Sequence, residues 1–156
     1  MRKFWWIAVL VVVLDQLTKL AAVKFLTVSP IVVTSFFNLQ LVYNTGAAFG
    51  FLNDASGWQN MLFVIIAIIV SLFIIAMAFR LGANDVQVMV ALMLILGGAV
   101  GNLIDRVRLD YVIDFIDLHY QIWHWPAFNI ADSAISVGAV LLVLDVFGLG
   151  FPKRHD

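Results

Sequence analysis

From Gln59 to Phe79 the chain reads QNMLFVIIAIIVSLFIIAMAF, without one charged residue. Roughly 20 helical residues cross the hydrocarbon of a bilayer, and a soluble fold rarely holds so long an uncharged run. Three more apolar stretches, near Phe4 to Leu26, Val86 to Ile104 and Ser133 to Gly150, approach the same length. The expectation is a mainly α membrane protein with four transmembrane helices. Composition agrees: 63% of the 156 residues are hydrophobic and 12% charged, too few charges to cover a water-facing surface. Lipid must cover the outside.

The first stretch has a rival explanation. Met1-Arg2-Lys3 followed by apolar residues to Leu14 also suits a cleavable secretory signal peptide. The apolar pattern continues past Asp15 to Leu26, however, and Asp15 and Lys19, four apart, can meet on one side of a helix. A retained helix facing protein fits better.

Basic residues in short flanks stay cytoplasmic. With both termini inside, Arg2, Lys3, Arg80, Lys153 and Arg154 are cytoplasmic, against Arg106, Arg108 and the helix-end Lys24 outside. Two longer connections, near Thr27 to Trp58 and Asp105 to Asp132, then lie outside. The first contains IVVTSFFNLQLVYN, β-branched and aromatic enough for a small extracytoplasmic β element, and then the small residues Gly46-Ala47-Ala48. The second carries Trp123, His124, Trp125 and Pro126, as an interfacial outer loop would. No repeat or linker divides the chain, so residues 1–156 are expected to form a single domain.

A net charge of −1 excludes a polybasic chain that tracks nucleic acid. With no Cys, thiol nucleophiles and disulfides are excluded too. All ten acidic residues are Asp, and six of them, Asp54, Asp105, Asp110, Asp114, Asp117 and Asp132, fall on the outer side. An ionisable group at a membrane boundary needs a partner, water or a function. Asp132 precedes Ser133 and the fourth apolar run, where a helix N-cap is the simplest role. Asp114 sits in the apolar Val112-Ile113-Asp114-Phe115-Ile116, as a turn residue or a partner of Arg106 or Arg108, or as something more. Two adjoining carboxylates sharing one proton could hydrolyse a peptide without a cofactor, one activating water and the other polarising the carbonyl. The spacing allows Asp114 and Asp132 to meet and does not require it.

In GGAVGNLIDR, Gly97 and Gly101 form a small-xxx-small pair suited to close helix approach. Asn102 and Arg106, four apart, could face one polar pocket beside Asp105, although an Asp105–Arg106 salt bridge would explain those charges as simply. His119 and His124, with Asp117 near, do not align on one helix face and there is no HExxH string, so no metal site is expected. Ser133 has no evident general base and no nucleophile-elbow glycines.

Five segments in order, DQLTK (Asp15 to Lys19), VYNTGAAFG (Val42 to Gly50), GGAVGNLIDR (Gly97 to Arg106), VIDF (Val112 to Phe115) and FNIAD (Phe128 to Asp132), resemble those of lipoprotein signal peptidase, or signal peptidase II. The resemblance runs along nearly the whole chain, with no departure at the family's functional positions. It implies an intramembrane aspartic endopeptidase of the bacterial inner membrane, without a cofactor, active near the extracytoplasmic face. It implies that Asp114 and Asp132 are the catalytic pair, that Asn44, Asn102, Asp105, Arg106 and Asn129 bind substrate or brace the pair, and that Asp15, with Lys19, is a structural polar brace. The implied substrate is a prolipoprotein, cut before a Cys carrying diacylglycerol, with membrane lipid around it and no obligate protein partner. The dipole of the fourth helix would favour an ionised Asp132 as base, leaving the proton on Asp114. A small transporter or ion channel using Asp15, Lys19 and Asp145 is the alternative, and a structural membrane subunit the third reading.

Overall fold

The computed structural model describes residues 4–46, 58–82 and 85–150; Arg2, Lys3, Asp54, Lys153, Arg154 and the motif residues from Ala47 to Gly50 lie outside the described residues. The elements run α1 (Trp5–Phe25), β1 (Ile31–Thr34), β2 (Phe37–Asn44), α2 (Trp58–Arg80), α3 (Val86–Leu109), β3 (Val112–Tyr120), β4 (Trp123–His124) and α4 (Ile130–Val146). Among the described residues, α1, α2 and α3 are long and apolar enough to cross a membrane. The expected fourth span corresponds to α4, whose 17 residues make it the shortest of the four helices.

Two helix boundaries differ from expectation because charge inside a helix looks, in sequence, like the helix's end. Helix α3 continues past Ile104 to Leu109, with Arg106 and Arg108 in its last turn, where cations suit the carbonyl end of the dipole. It stops at Asp110, which adopts the left-handed conformation (φ 66°) and donates its backbone N–H to Arg106 O, a common helix ending. Helix α4 starts at Ile130 rather than Ser133. Its N-cap is Asn129, not Asp132: the Asn129 side chain accepts from Asp132 N, and the Asp132 carboxylate accepts from Asn129 N, a reciprocal capping box.

The strands form one antiparallel sheet in the order β1-β2-β3-β4. The β element expected between Thr27 and Trp58 is present as β1 and β2. The connection expected to be an interfacial loop is largely β3, buried on both faces from Val112 to Phe115. Such a strand has no alternation of polar and apolar residues to announce it.

The distribution of polarity is inverted relative to a soluble protein. Val9, Leu17, Leu20, Ile69, Leu72 and Phe73 are exposed, while Asp15, Lys19, Gln59, Gln87, Asn102 and Asp105 are buried. Helix α3 lies at the centre, against α1, α2 and α4. Its glycines permit that approach. A Cβ at Gly97 would lie 2.7 Å from Val11 Cβ, one at Gly101 2.6 Å from Asp15 Oδ2, and one at Gly98 would overlap the Ala131 carbonyl of α4.

Within this contact lies a closed polar cluster. Lys19 Nζ is 2.8 Å from Asp15 Oδ2, 2.8 Å from Asp105 Oδ2 and 2.9 Å from Asn102 Oδ1, which uses all three donors of an ammonium. Asp15 Oδ1 accepts from Ala131 N at 3.0 Å, and Gln16 Nε2 donates to Asp105 Oδ1 at 2.9 Å. Asp105 therefore pairs with α1, in place of the alternative bridge to Arg106. Helices α1, α3 and α4 meet at these bonds.

Lys19→Met should lower stability by about 3–5 kcal/mol, because it strands two buried carboxylates; thermal unfolding in detergent measures this. Gly98→Ala should cost roughly 1–3 kcal/mol in the same measurement, through overpacking against the α4 backbone.

Candidate active site

Asp114 is carried by β3 and Asp132 by the first turn of α4, and both line one cavity of about 530 Å³. Asn44, Asn102, Arg106, Trp125, Phe128 and Ser136 also line it. Alternation along β3 places Asp114 on the cavity side and Phe115 opposite, where Phe115 packs with Ala22 and Leu26. The strand is pinned from both sides: Ile113 N donates to Asp105 Oδ2 at 3.2 Å, and Ile116 N to Phe128 O at 2.9 Å.

A bulge in β2 brings Asn44 to the site. Leu39 pairs with Ile116, but Val42 pairs with Asp114 and Asn44 with Val112, so β2 spends three steps where β3 spends two. If the same residues alternated strictly, with no bulge, Asn44 would fall on the other face. With it, Asn44 is a diagonal neighbour of Asp114 and its Nδ2 donates to Asp114 Oδ2 at 2.9 Å.

Asn129 joins the two carboxylates. Its Nδ2 donates to Asp114 Oδ1 at 2.7 Å and to Asn102 Oδ1 at 3.1 Å, and its backbone N to Asp132 Oδ2 at 3.2 Å. Asn102 Nδ2 donates in turn to Asp132 Oδ1 at 2.8 Å. Every oxygen of the pair thus accepts a hydrogen bond. The two environments still differ, because Asp114 is 1% exposed whereas Asp132 is only partly buried. Burial, reinforced by the charge of Asp132 and opposed by the bonds from Asn44 and Asn129, pushes the Asp114 carboxyl up to about 7.

Arg106 reaches over the site from α3, its Nη2 3.4 Å from Gly46 O and its guanidinium 5.0 Å from the Phe63 ring centroid. No ion pair joins it to Asp114 among the described residues; it borders the same cavity instead. The structure therefore gathers Asn44, Asn102, Arg106, Asp114, Asn129 and Asp132, and places Asp105, Asp15 and Lys19 behind Asn102. His119 and His124 meet across the β3–β4 pair, rings stacked at 5.1 Å, and among the described residues no three side chains are placed to hold a metal ion.

The sequence reading missed Gln16, beside Asp15, which binds Asp105 and also Gly101 O at 3.2 Å. It also missed the cavity wall from Trp125 to Phe128. A polar residue following Asp15 on an apolar helix was a signal for the first; the second has no local signature, since it depends on how the chain folds back along β3.

Known proteins converge on one family. The model of the Signal peptidase (SPase) II family matches residues 7–148. A lipoprotein signal peptidase of Pseudomonas fluorescens (strain Pf-5) is 52% identical over 145 residues, covering 91% of this chain and 85% of the relative. That of Paraburkholderia phytofirmans is 54% identical over 140 residues, covering 89% and 81%. A solved bacterial membrane enzyme superposes with a TM-score of 0.81 at 32% identity, covering 100% of this chain and 94% of that one; another gives 0.79 at 31%, covering 94% and 93%. With its membrane-spanning helices and matches along nearly its whole length, the chain belongs to the signal peptidase II family.

Proposed function

We propose that Asp114 and Asp132 are the catalytic pair with which this aspartic endopeptidase removes the signal peptide of diacylglyceryl-modified prolipoproteins, cutting before the lipidated Cys. The observation that carries this is their placement on one cavity, bridged by Asn129. Two carboxylates so close share a proton, and their surroundings favour its placement on Asp114. Asp114 is enclosed, with its carboxyl raised to about 7; Asp132 sits in the first turn of α4, where the helix dipole favours negative charge.

Asp132 then takes a proton from water, which attacks the scissile carbonyl while protonated Asp114 donates a hydrogen bond to the carbonyl oxygen. The proton gained by Asp132 passes to the leaving amine as the tetrahedral intermediate collapses. Asn44, Asn102 and Asn129 hold the carboxylates, Arg106 offers donors to substrate backbone at the cavity rim, and Asp105, with Asp15 and Lys19, braces the pair from behind.

In this reading residues 1–156 form a single domain with α4 as the fourth span and both termini cytoplasmic. Its helix rises about 25 Å at 1.5 Å per residue, and Val137, Val140, Val143 and Val146 are exposed along it, as lipid contact would require. The pair would lie near the extracytoplasmic face of the bacterial inner membrane, where signal helix and acyl chains arrive from lipid and water from outside.

Purified protein in detergent, given a diacylglyceryl-modified prolipoprotein peptide and a chelator, should cleave before the modified Cys. Asp114→Asn and Asp132→Asn should each lose about 10²–10⁴-fold in kcat while remaining folded; wild-type rates in either would refute the assignment. Because turnover needs the proton on Asp114, kcat/KM should fall as pH rises through about 7. The Asn44 bond stabilises the carboxylate, so Asn44→Ala should move that fall to higher pH.

A further inference from the structure

The cavity wall from Trp125 to Phe128 is a short return segment with little secondary structure of its own. Its far end is tied to β3 by Phe128 N donating to Ile116 O at 3.1 Å. Its near end follows β4, whose His124 pairs with His119 across the strands. There His124 Nδ1 lies 2.7 Å from Asp117 Oδ1, and Trp125 N donates to Leu118 O at 2.8 Å. Asp117 is 4% exposed and receives a second bond from Asn38 Nδ2 at 3.1 Å.

We infer that His124 is a positioning residue for substrate binding: its hydrogen-bonded contact with Asp117 clasps the near end of the Trp125–Phe128 wall. This rests on the reading of that cavity as the peptide site. The carboxylate cannot be relieved of its charge easily. Burial by itself would raise Asp117, but the bonds from His124 and Asn38 outweigh it and hold the carboxyl below its ordinary value. A half-exposed imidazole donating to an ionised, enclosed carboxylate makes a charge-assisted bond, stronger than one between neutral groups. The titratable groups facing His124 are Asp117 and His119, both on β3; β2 contributes the uncharged Asn38. Among the described residues the His119 ring nitrogens are buried without hydrogen-bond partners, so His119 stacks on His124 and acts on Asp117 only through space.

Neither histidine touches the carboxylate pair, so the effect belongs to substrate capture and not to chemistry. His124→Phe keeps a ring to stack on His119 and removes the bond; since His124 is 51% exposed, KM for the lipopeptide should rise only about three- to five-fold, with kcat unchanged. His119→Phe should leave KM as it is. His124→Asn restores a neutral donor near the Nδ1 position, so KM should recover in part relative to His124→Phe and stay above wild type.

Thermal unfolding in detergent checks that each variant is folded. If His124→Phe fails to fold, the comparison of wild type with His124→Asn decides. A wild type that turns over normally, with KM unmoved in His124→Phe or, where that variant does not fold, in His124→Asn, overturns the clasp and leaves the peptidase reading standing. A folded wild type that cleaves nothing overturns both.

Discussion

An ammonium buried between helices sets the arrangement of this molecule. Lys19 can only donate, and its three bonds go to Asp15, Asp105 and Asn102. Asn102 must therefore offer its oxygen to Lys19, which turns its amide nitrogen toward Asp132. Asn129 donates to the same Asn102 oxygen, so its nitrogen also faces Asp114 and its oxygen receives Asp132 N. The orientation of both amides, ordinarily ambiguous by two-fold symmetry, follows from a cation held on α1. Desolvating such a group is expensive, and only a closed set of partners offsets it. Helix packing and the geometry of the carboxylates are thus consequences of one cluster.

How much of this could be seen beforehand depended on the kind of residue. Helix α2, uncharged from Trp58 to Phe79, was readable almost to its ends, and so was α1. The end of α3 was not, because Asp105, Arg106 and Arg108 resemble a loop until Lys19 and Gln16 are known to receive Asp105. The start of α4 was encoded in Asn129-Ile130-Ala131-Asp132, a capping-box spacing with Asp in place of the usual Glu or Gln; reading Asp132 itself as the cap overlooked the residue three before it. The strand β3 was hidden by being buried on both faces. That Asp114 and Asp132 reach one cavity followed from no local pattern: a strand and a helix separated by a chain reversal meet there, and only the family resemblance put them together in advance.

The site also shows how two identical side chains acquire different surroundings. Asp114 is fixed by a strand covered on both faces, and Asp132 by a helix end whose unpaired N–H groups favour an anion. Asn129 takes part in both, as the cap of α4 and as a donor to Asp114. The direction of α4 and the position of β3 are consequently joined through one residue, so that a tilt of the helix would be felt directly at the strand.

The β2 bulge carries a consequence for inheritance. Because side chains alternate along a strand, whether Asn44 faces Asp114 depends on the parity of residues between the bulge and position 44. A lineage can lengthen or shorten the β1–β2 turn freely, since that only moves the end of the hairpin. Losing one residue at the bulge, Gln40 or Leu41, would make three steps two and restore regular pairing, with Asn44 still opposite Val112 and facing the carboxylate. The bulge is thus a point at which this strand can change length by one residue without turning Asn44 away, and single-residue gaps should be commoner there than elsewhere in β2.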